Sequence, residues 1–141
     1  MPQMKAHLDR AVACWNGGDL DGYLTLYDDS IRLHGYTPEP MDKPAVREFY
    51  RMVCAALPAA GKPNPDLVIH ETLESGDLLS CRFVMSGVHS GAFMNVPASG
   101  KPYALPGITI LRFAGDKAVE RWSCADMLGF LVQVGAPPPP G

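Results

Sequence analysis

Residues 67–89 read LVIHETLESGDLLSCRFVMSGVH, and residues 103–125 read YALPGITILRFAGDKAVERWSCA. Each stretch is two apolar-rich runs interrupted by a short polar turn, Ser75-Gly76-Asp77 in the first and Ala114-Gly115-Asp116 in the second. A glycine beside aspartate between β-prone runs favours a tight hairpin, so successive runs become antiparallel neighbours. Strands are expected at about Leu67 to Leu73, Leu78 to His89, Tyr103 to Phe113 and Ala118 to Ala125.

Upstream of residue 58 the apolar period is helical. Met4, Leu8, Ala11, Val12 and Trp15 share one face, and Asn16-Gly17-Gly18 supplies a left-handed stop. Asp19 can cap a short helix carrying Leu20, Tyr23, Leu24 and Tyr27, followed by a strand from Ser30 to Tyr36. Asp42 and Pro44 open a third helix, in which Val46, Phe49, Tyr50, Val53 and Leu57 recur at helical spacing. A last helical stretch, Met127 to Val134, ends at Gly135. The order predicts one α+β domain over residues 1–136, with a proline-rich tail at 137–141. A sheet that curls around the long third helix encloses a cavity between its concave face and that helix, and function is expected there.

Composition narrows the partners. With 141 residues, 47% hydrophobic and 19% charged, the chain suits a single globular core. A net charge of −3 with scattered Arg and Lys offers no basic stripe for a phosphate backbone, so nucleic acid is not an expected partner. No apolar run approaches the roughly 18 residues of a membrane span. The polar N-terminus does not read as a leader, and a cytoplasmic protein is expected. Cys14, Cys54, Cys81 and Cys124 form no CxxC pair, so neither a metal site nor a redox motif is indicated.

Ser86-Gly87-Val88-His89-Ser90-Gly91-Ala92-Phe93, Pro97-Ala98-Ser99-Gly100-Lys101 and Gly107-Ile108 follow the pattern G-x-H-x-G-x-F, P-x-x-G-K and G-I. Arg112-Phe113, Val119 to Asp126, Leu128-Gly129 and Gln133-Val134-Gly135 continue it, with weaker matches at His34-Gly35 and Ala45 to Tyr50. This ordered set resembles the SnoaL-like polyketide cyclases of the nuclear-transport-factor-like superfamily. The resemblance implies a cone-shaped α+β barrel with an apolar pocket and a cofactor-independent, acid/base aldol-type closure or isomerisation of a hydrophobic carbonyl substrate. It also implies pairing of two copies through the sheet. The family's acid/base aspartate matches Asp126.

Within that frame the residues carry several expectations. If Trp122, Cys124 and Asp126 continue one strand, alternation puts them on one face, where a tryptophan wall and a carboxylate share the pocket. Asp126 equally precedes a helix and can serve as its N-cap. Arg112 faces the same side as Ile108 and Ile110, from which it can hold an enolate or snorkel at the strand end. His89 can donate to a carbonyl or organise its glycine-flanked turn. His34 and Tyr36 share a side of the first strand and can reach a polar ligand at the cone mouth. Of the aromatic residues, Tyr27, Phe49 and Trp122 are expected to line the cavity, with Phe83 among the further candidates. A non-catalytic ligand-binding or dimerising domain is the rival reading. Epoxide hydrolysis ranks below both, because no second aspartate accompanies Arg112 and Asp126.

Overall fold

A computed structural model describes residues 3–136; the Pro137 to Pro140 tail lies outside the described residues. The first part of the chain holds three helices and one strand: α1 (Met4–Asn16), α2 (Leu20–Leu24), β1 (Tyr27–His34) and α3 (Lys43–Ala56). Four strands and a closing helix follow: β2 (Asp66–Ser75), β3 (Leu78–Val88), β4 (Pro102–Ala114), β5 (Lys117–Ala125) and α4 (Met127–Gln133). Asp19 and Asp42 accept hydrogen bonds from the amides of Gly22 and Ala45, satisfying N–H groups that α2 and α3 leave without intrahelical partners.

The five strands form one mixed sheet in the order β1-β5-β4-β3-β2, with β1 parallel to β5 and the other neighbours antiparallel. The expected α+β class and both hairpins are present. Register shifts between Ile69 and Glu71 in β2 and between Arg112 and Phe113 in β4 mark bulges, which increase local twist. On β4 the inward residues Tyr103, Leu105, Thr109, Leu111 and Phe113 alternate with outward Ala104, Pro106, Ile108 and Ile110.

The helices close over the inner face. Met4, Leu8, Ala11 and Trp15 of α1 are buried, as are Val46, Tyr50 and Val53 of α3. Asn16 locks α1 to β2 by exchanging two bonds of 2.8 Å with the Leu67 backbone, and Trp15 Nε1 donates to the Pro65 carbonyl at 2.9 Å. At the other end Phe130 of α4 is fully buried against Tyr103, Phe93 and His89. Gln133 pairs with both backbone groups of Ala104, which fixes α4 across the end of the sheet.

Two boundaries differ from expectation. Tyr27 does not belong to the second helix; it opens β1, because its backbone pairs in parallel with Ala118 of β5. That strand stops at His34, because Gly35 has φ +119° and a Cβ there would meet the Ser123 carbonyl oxygen at 2.1 Å. The turn at Gly35 separates His34 from Tyr36, which therefore face different environments.

Candidate functional site

Between α3 and the inner face of the sheet lies a cavity of about 380 Å³. Phe49, Tyr50 and Val53 of α3 form one side and Phe83, Leu105 and Arg121 of β3, β4 and β5 the other, with Phe93 and Met94 from the loop after β3. Among the described residues that line it there is no carboxylate and no imidazole; Arg121 is the lone charged group.

Arg121 is held by hydroxyls from five elements. Its Nε donates to Ser123 Oγ at 2.8 Å and its Nη2 to Thr109 Oγ1 at 3.1 Å. The two hydrogens of Nη1 are shared among the hydroxyls of Tyr23 (2.8 Å), Tyr50 (2.9 Å) and Tyr27. Those hydroxyls are also bonded to one another, Tyr23 to Tyr27 at 3.2 Å and Tyr27 to Tyr50 at 2.8 Å. The guanidinium is enclosed by these oxygens, while part of the side chain fronts the cavity. Burial pushes the hydroxyls of Tyr27 and Tyr50 well above the ordinary tyrosine range, against the pull of Arg121, so both stay protonated. Burial likewise works against the charge on Arg121, but the tyrosine oxygens outweigh it and hold the guanidinium protonated. The cavity is thus an apolar chamber with one cationic, hydroxyl-rich wall.

The structure distributes the sequence-predicted residues differently from expectation. Phe49, Phe83 and Tyr36 line the cavity, and Tyr36 packs on Phe49 with ring centroids 4.9 Å apart and planes tilted by 38°. Tyr27 is fully buried and joins through its hydroxyl, not as a wall. Trp122, Cys124 and Arg112 do share a face, as alternation requires, but it is the outer face of the sheet. There the Trp122 ring stacks on His34 at 5.4 Å, His34 Nε2 lies 2.9 Å from Glu120, and Arg112 sits 5.9 Å above Trp122 while pairing with Asp77 at 3.0 Å. The tryptophan wall is therefore corrected to a surface stack, and His34 and Arg112 to its neighbours. Cys124 is exposed.

Asp126 is exposed as well: its carboxylate accepts from the Gly129 amide at 2.9 Å and caps α4, although its neighbours Ala125 and Met127 line the cavity. His89 is fully buried away from the cavity wall. Its Nδ1 takes the Ser99 amide at 3.3 Å and lies 2.9 Å from Ser99 Oγ, while its backbone pairs with Lys101 and Gly100. That is the turn-organising role.

Arg121, Thr109 and Ser123 are not singled out by periodicity, because both faces of β4 carry apolar residues and both faces of β5 carry a charge, so the pattern does not say which is inside. A signal was nevertheless present. The outer set carries Arg112 and Glu120, whereas Thr109, Arg121 and Ser123 cluster on the other parity, where small hydroxyls can satisfy one buried cation.

The sequence profile of the SnoaL-like polyketide cyclases matches residues 5–134, and the chain belongs to that family. AclR from Streptomyces galilaeus, a candidate hydroxylase, superposes with a TM-score of 0.82 at 24% identity, covering 94% of this chain and 96% of that one. IdmH from Streptomyces antibioticus, a candidate polyketide cyclase, gives 0.77 at 24% identity over 95% of this chain and 99% of its own. A protein of ketosteroid isomerase-like fold from Catenulispora acidiphila, in complex with trimethylamine, gives 0.72 at 19% identity over 97% and 95%. At such identities the likeness is one of fold. No curated protein sequence matches the chain significantly.

Proposed function

We propose that this chain takes a hydrophobic, carbonyl-bearing small molecule into the cavity and carries it through an aldol-type or isomerisation step without a cofactor. The observation that supports this is the single cationic, hydroxyl-lined patch on an otherwise apolar wall, within a chain of the cyclase family. Negative charge that develops on a carbonyl oxygen is stabilised by preorganised donors in a site that excludes water. Arg121 and the tyrosine hydroxyls are such donors, and Asp126 has no part in this reading because its carboxylate is outside. Calorimetric titration with 1-tetralone, a bicyclic aromatic ketone, followed by co-crystallisation, tests it. Binding in the cavity with the ketone oxygen toward Tyr23 or Tyr50 is expected; absence of binding, or binding elsewhere, refutes the reading.

The lack of a carboxylate or imidazole among the described residues of the wall favours a second reading, a binding domain that performs no chemistry. Incubation with a synthetic linear poly-β-ketone separates the two: faster ring closure than in buffer supports the enzyme, and binding with an unchanged rate supports the carrier. Epoxide hydrolysis by an Asp-Arg-Asp set gains no support, since among the described residues no aspartate lines the cavity beside Arg121.

The notion of a homodimer attaches to the outer sheet face. Ile108 and Ile110, 58% and 39% exposed, flank the Trp122 stack and offer an apolar surface to a second copy. Sedimentation of the parent and of Ile108→Glu is expected to show a dimer and a monomer; a monomeric parent refutes the pairing.

A further inference from the structure

Arg121 is enclosed, yet among the described residues no carboxylate lies within ion-pairing distance of it; each of its partners is a hydroxyl. Buried charges are normally paired. The protons of the cluster show where a missing partner would sit. Three tyrosine hydroxyls carry three protons, and the two tyrosine–tyrosine bonds use two of them. The Tyr27 oxygen already accepts from Nη1, so its second lone pair can take a proton from only one of Tyr23 and Tyr50. The bonds therefore run in one direction along the chain of hydroxyls. The remaining proton belongs to Tyr23 or Tyr50, and both of these line the cavity. The guanidinium leaves one Nη2 hydrogen without an acceptor among the described residues, since Nη2 bonds Thr109 alone.

We propose that the cavity's occupant is an acidic enol or phenol bound as its anion, with the charged oxygen on the free hydroxyl of Tyr23 or Tyr50 and Arg121 as its counter-ion. This rests on the reading of the cavity as the small-molecule site and names its ligand class. A carboxylate fits less well: it prefers the two parallel N–H bonds of an open guanidinium edge, and here Nη1 is taken up by tyrosines. A one-oxygen anion needs only the single hydroxyl and the cation behind it. Such a ligand releases its proton to water as it enters, so the enolate forms without a carboxylate or imidazole to take the proton. That agrees with a lining that, among the described residues, contains neither.

The test uses the full chain and four probes, two coumarins and two naphthalenes. The phenol and phenolate forms of 7-hydroxycoumarin absorb at different wavelengths, and 7-methoxycoumarin is its neutral counterpart. Absorbance titrations are expected to show the acid constant of bound 7-hydroxycoumarin raised at least about tenfold, one pKa unit, over the free compound. The hydroxy compound should also outbind the methoxy one by a similar factor above the free phenol's pKa. Arg121→Met should abolish both differences. The double variant Tyr23→Phe/Tyr50→Phe, which keeps the rings and the cation, should reduce them and serves if the first does not fold. An unchanged acid constant with both coumarins bound overturns the proposal while leaving the cavity reading intact. Failure of both to bind overturns the two together. Tighter binding of 1-naphthoic acid than of 2-naphthol overturns the choice of enol or phenol over carboxylate.

Discussion

Replacing Arg121 by methionine separates a ligand anchor from a structural hub. The change removes five hydroxyl contacts, and hydrogen bonds to a charged group are worth about 1.5–3 kcal/mol each. Against that gross loss stands the desolvation of an enclosed guanidinium without a carboxylate, a penalty of several kcal/mol. The groups left behind are not orphaned: the tyrosine hydroxyls retain their mutual bonds, and Thr109 Oγ1 keeps Ser123 Oγ at 2.8 Å. Methionine is unbranched and fills irregular space, which limits any void. The net change is expected to stay within about 2 kcal/mol of the parent, a shift in melting temperature of no more than about 6 °C for a chain of this size. Urea unfolding followed by tryptophan fluorescence measures it, with an unchanged m-value as the sign that the fold is retained. A loss above about 4 kcal/mol, of the size seen when a buried charge loses its partner, would refute the reasoning and make Arg121 a keystone of the core.

Three further outcomes follow from the geometry. Asp126→Ala removes the cap of α4 and should cost about 1 kcal/mol in urea unfolding, while Asp126→Asn should stay within a few tenths; neither should change 1-tetralone binding, since the carboxylate bonds the Gly129 amide outside the cavity. Gly35→Ala meets both a positive φ and the Ser123 carbonyl, and should destabilise by about 3 kcal/mol or more, read as a lowered urea midpoint or lost soluble yield. Burial raises the Cys54 thiol from 9.0 to about 11 and lifts the hydroxyls of Tyr27 and Tyr50, so the native state keeps protons that the unfolded chain releases. Stability is then full below pH 9 and falls as pH rises from 9 to 11, by about 2–3 kcal/mol from Cys54 alone. Cys54→Ala should show a shallower alkaline decline in thermal unfolding.

The fold was largely legible. Helical spacing in the first 57 residues, the Asp19 and Asp42 caps, and two Gly-Asp turns locate the elements within a few positions of where they stand, because these signals depend on neighbours in the chain. The limits were also local ones. Tyr27 fits the helical period of α2, but pairing with β5, 91 positions away in sequence, makes it a strand residue.

What the sequence by itself determined was which residues share a face: Ile108, Ile110, Arg112, Trp122 and Cys124 stand together as alternation requires. Which face turns inward was decided only by the tertiary structure. A strand with apolar residues on both parities has no local reason to prefer one, and the choice falls to what the opposite wall can satisfy. Here that wall presents the hydroxyls of Tyr23, Tyr27 and Tyr50, drawn from α2, β1 and α3. They solvate the Arg121 cation, while the outer pair of Arg112 and Glu120 remains near water with Asp77 and His34. The cationic wall of the cavity exists because residues 23, 27, 50, 109, 121 and 123 meet in space, and no window of the sequence contains them together.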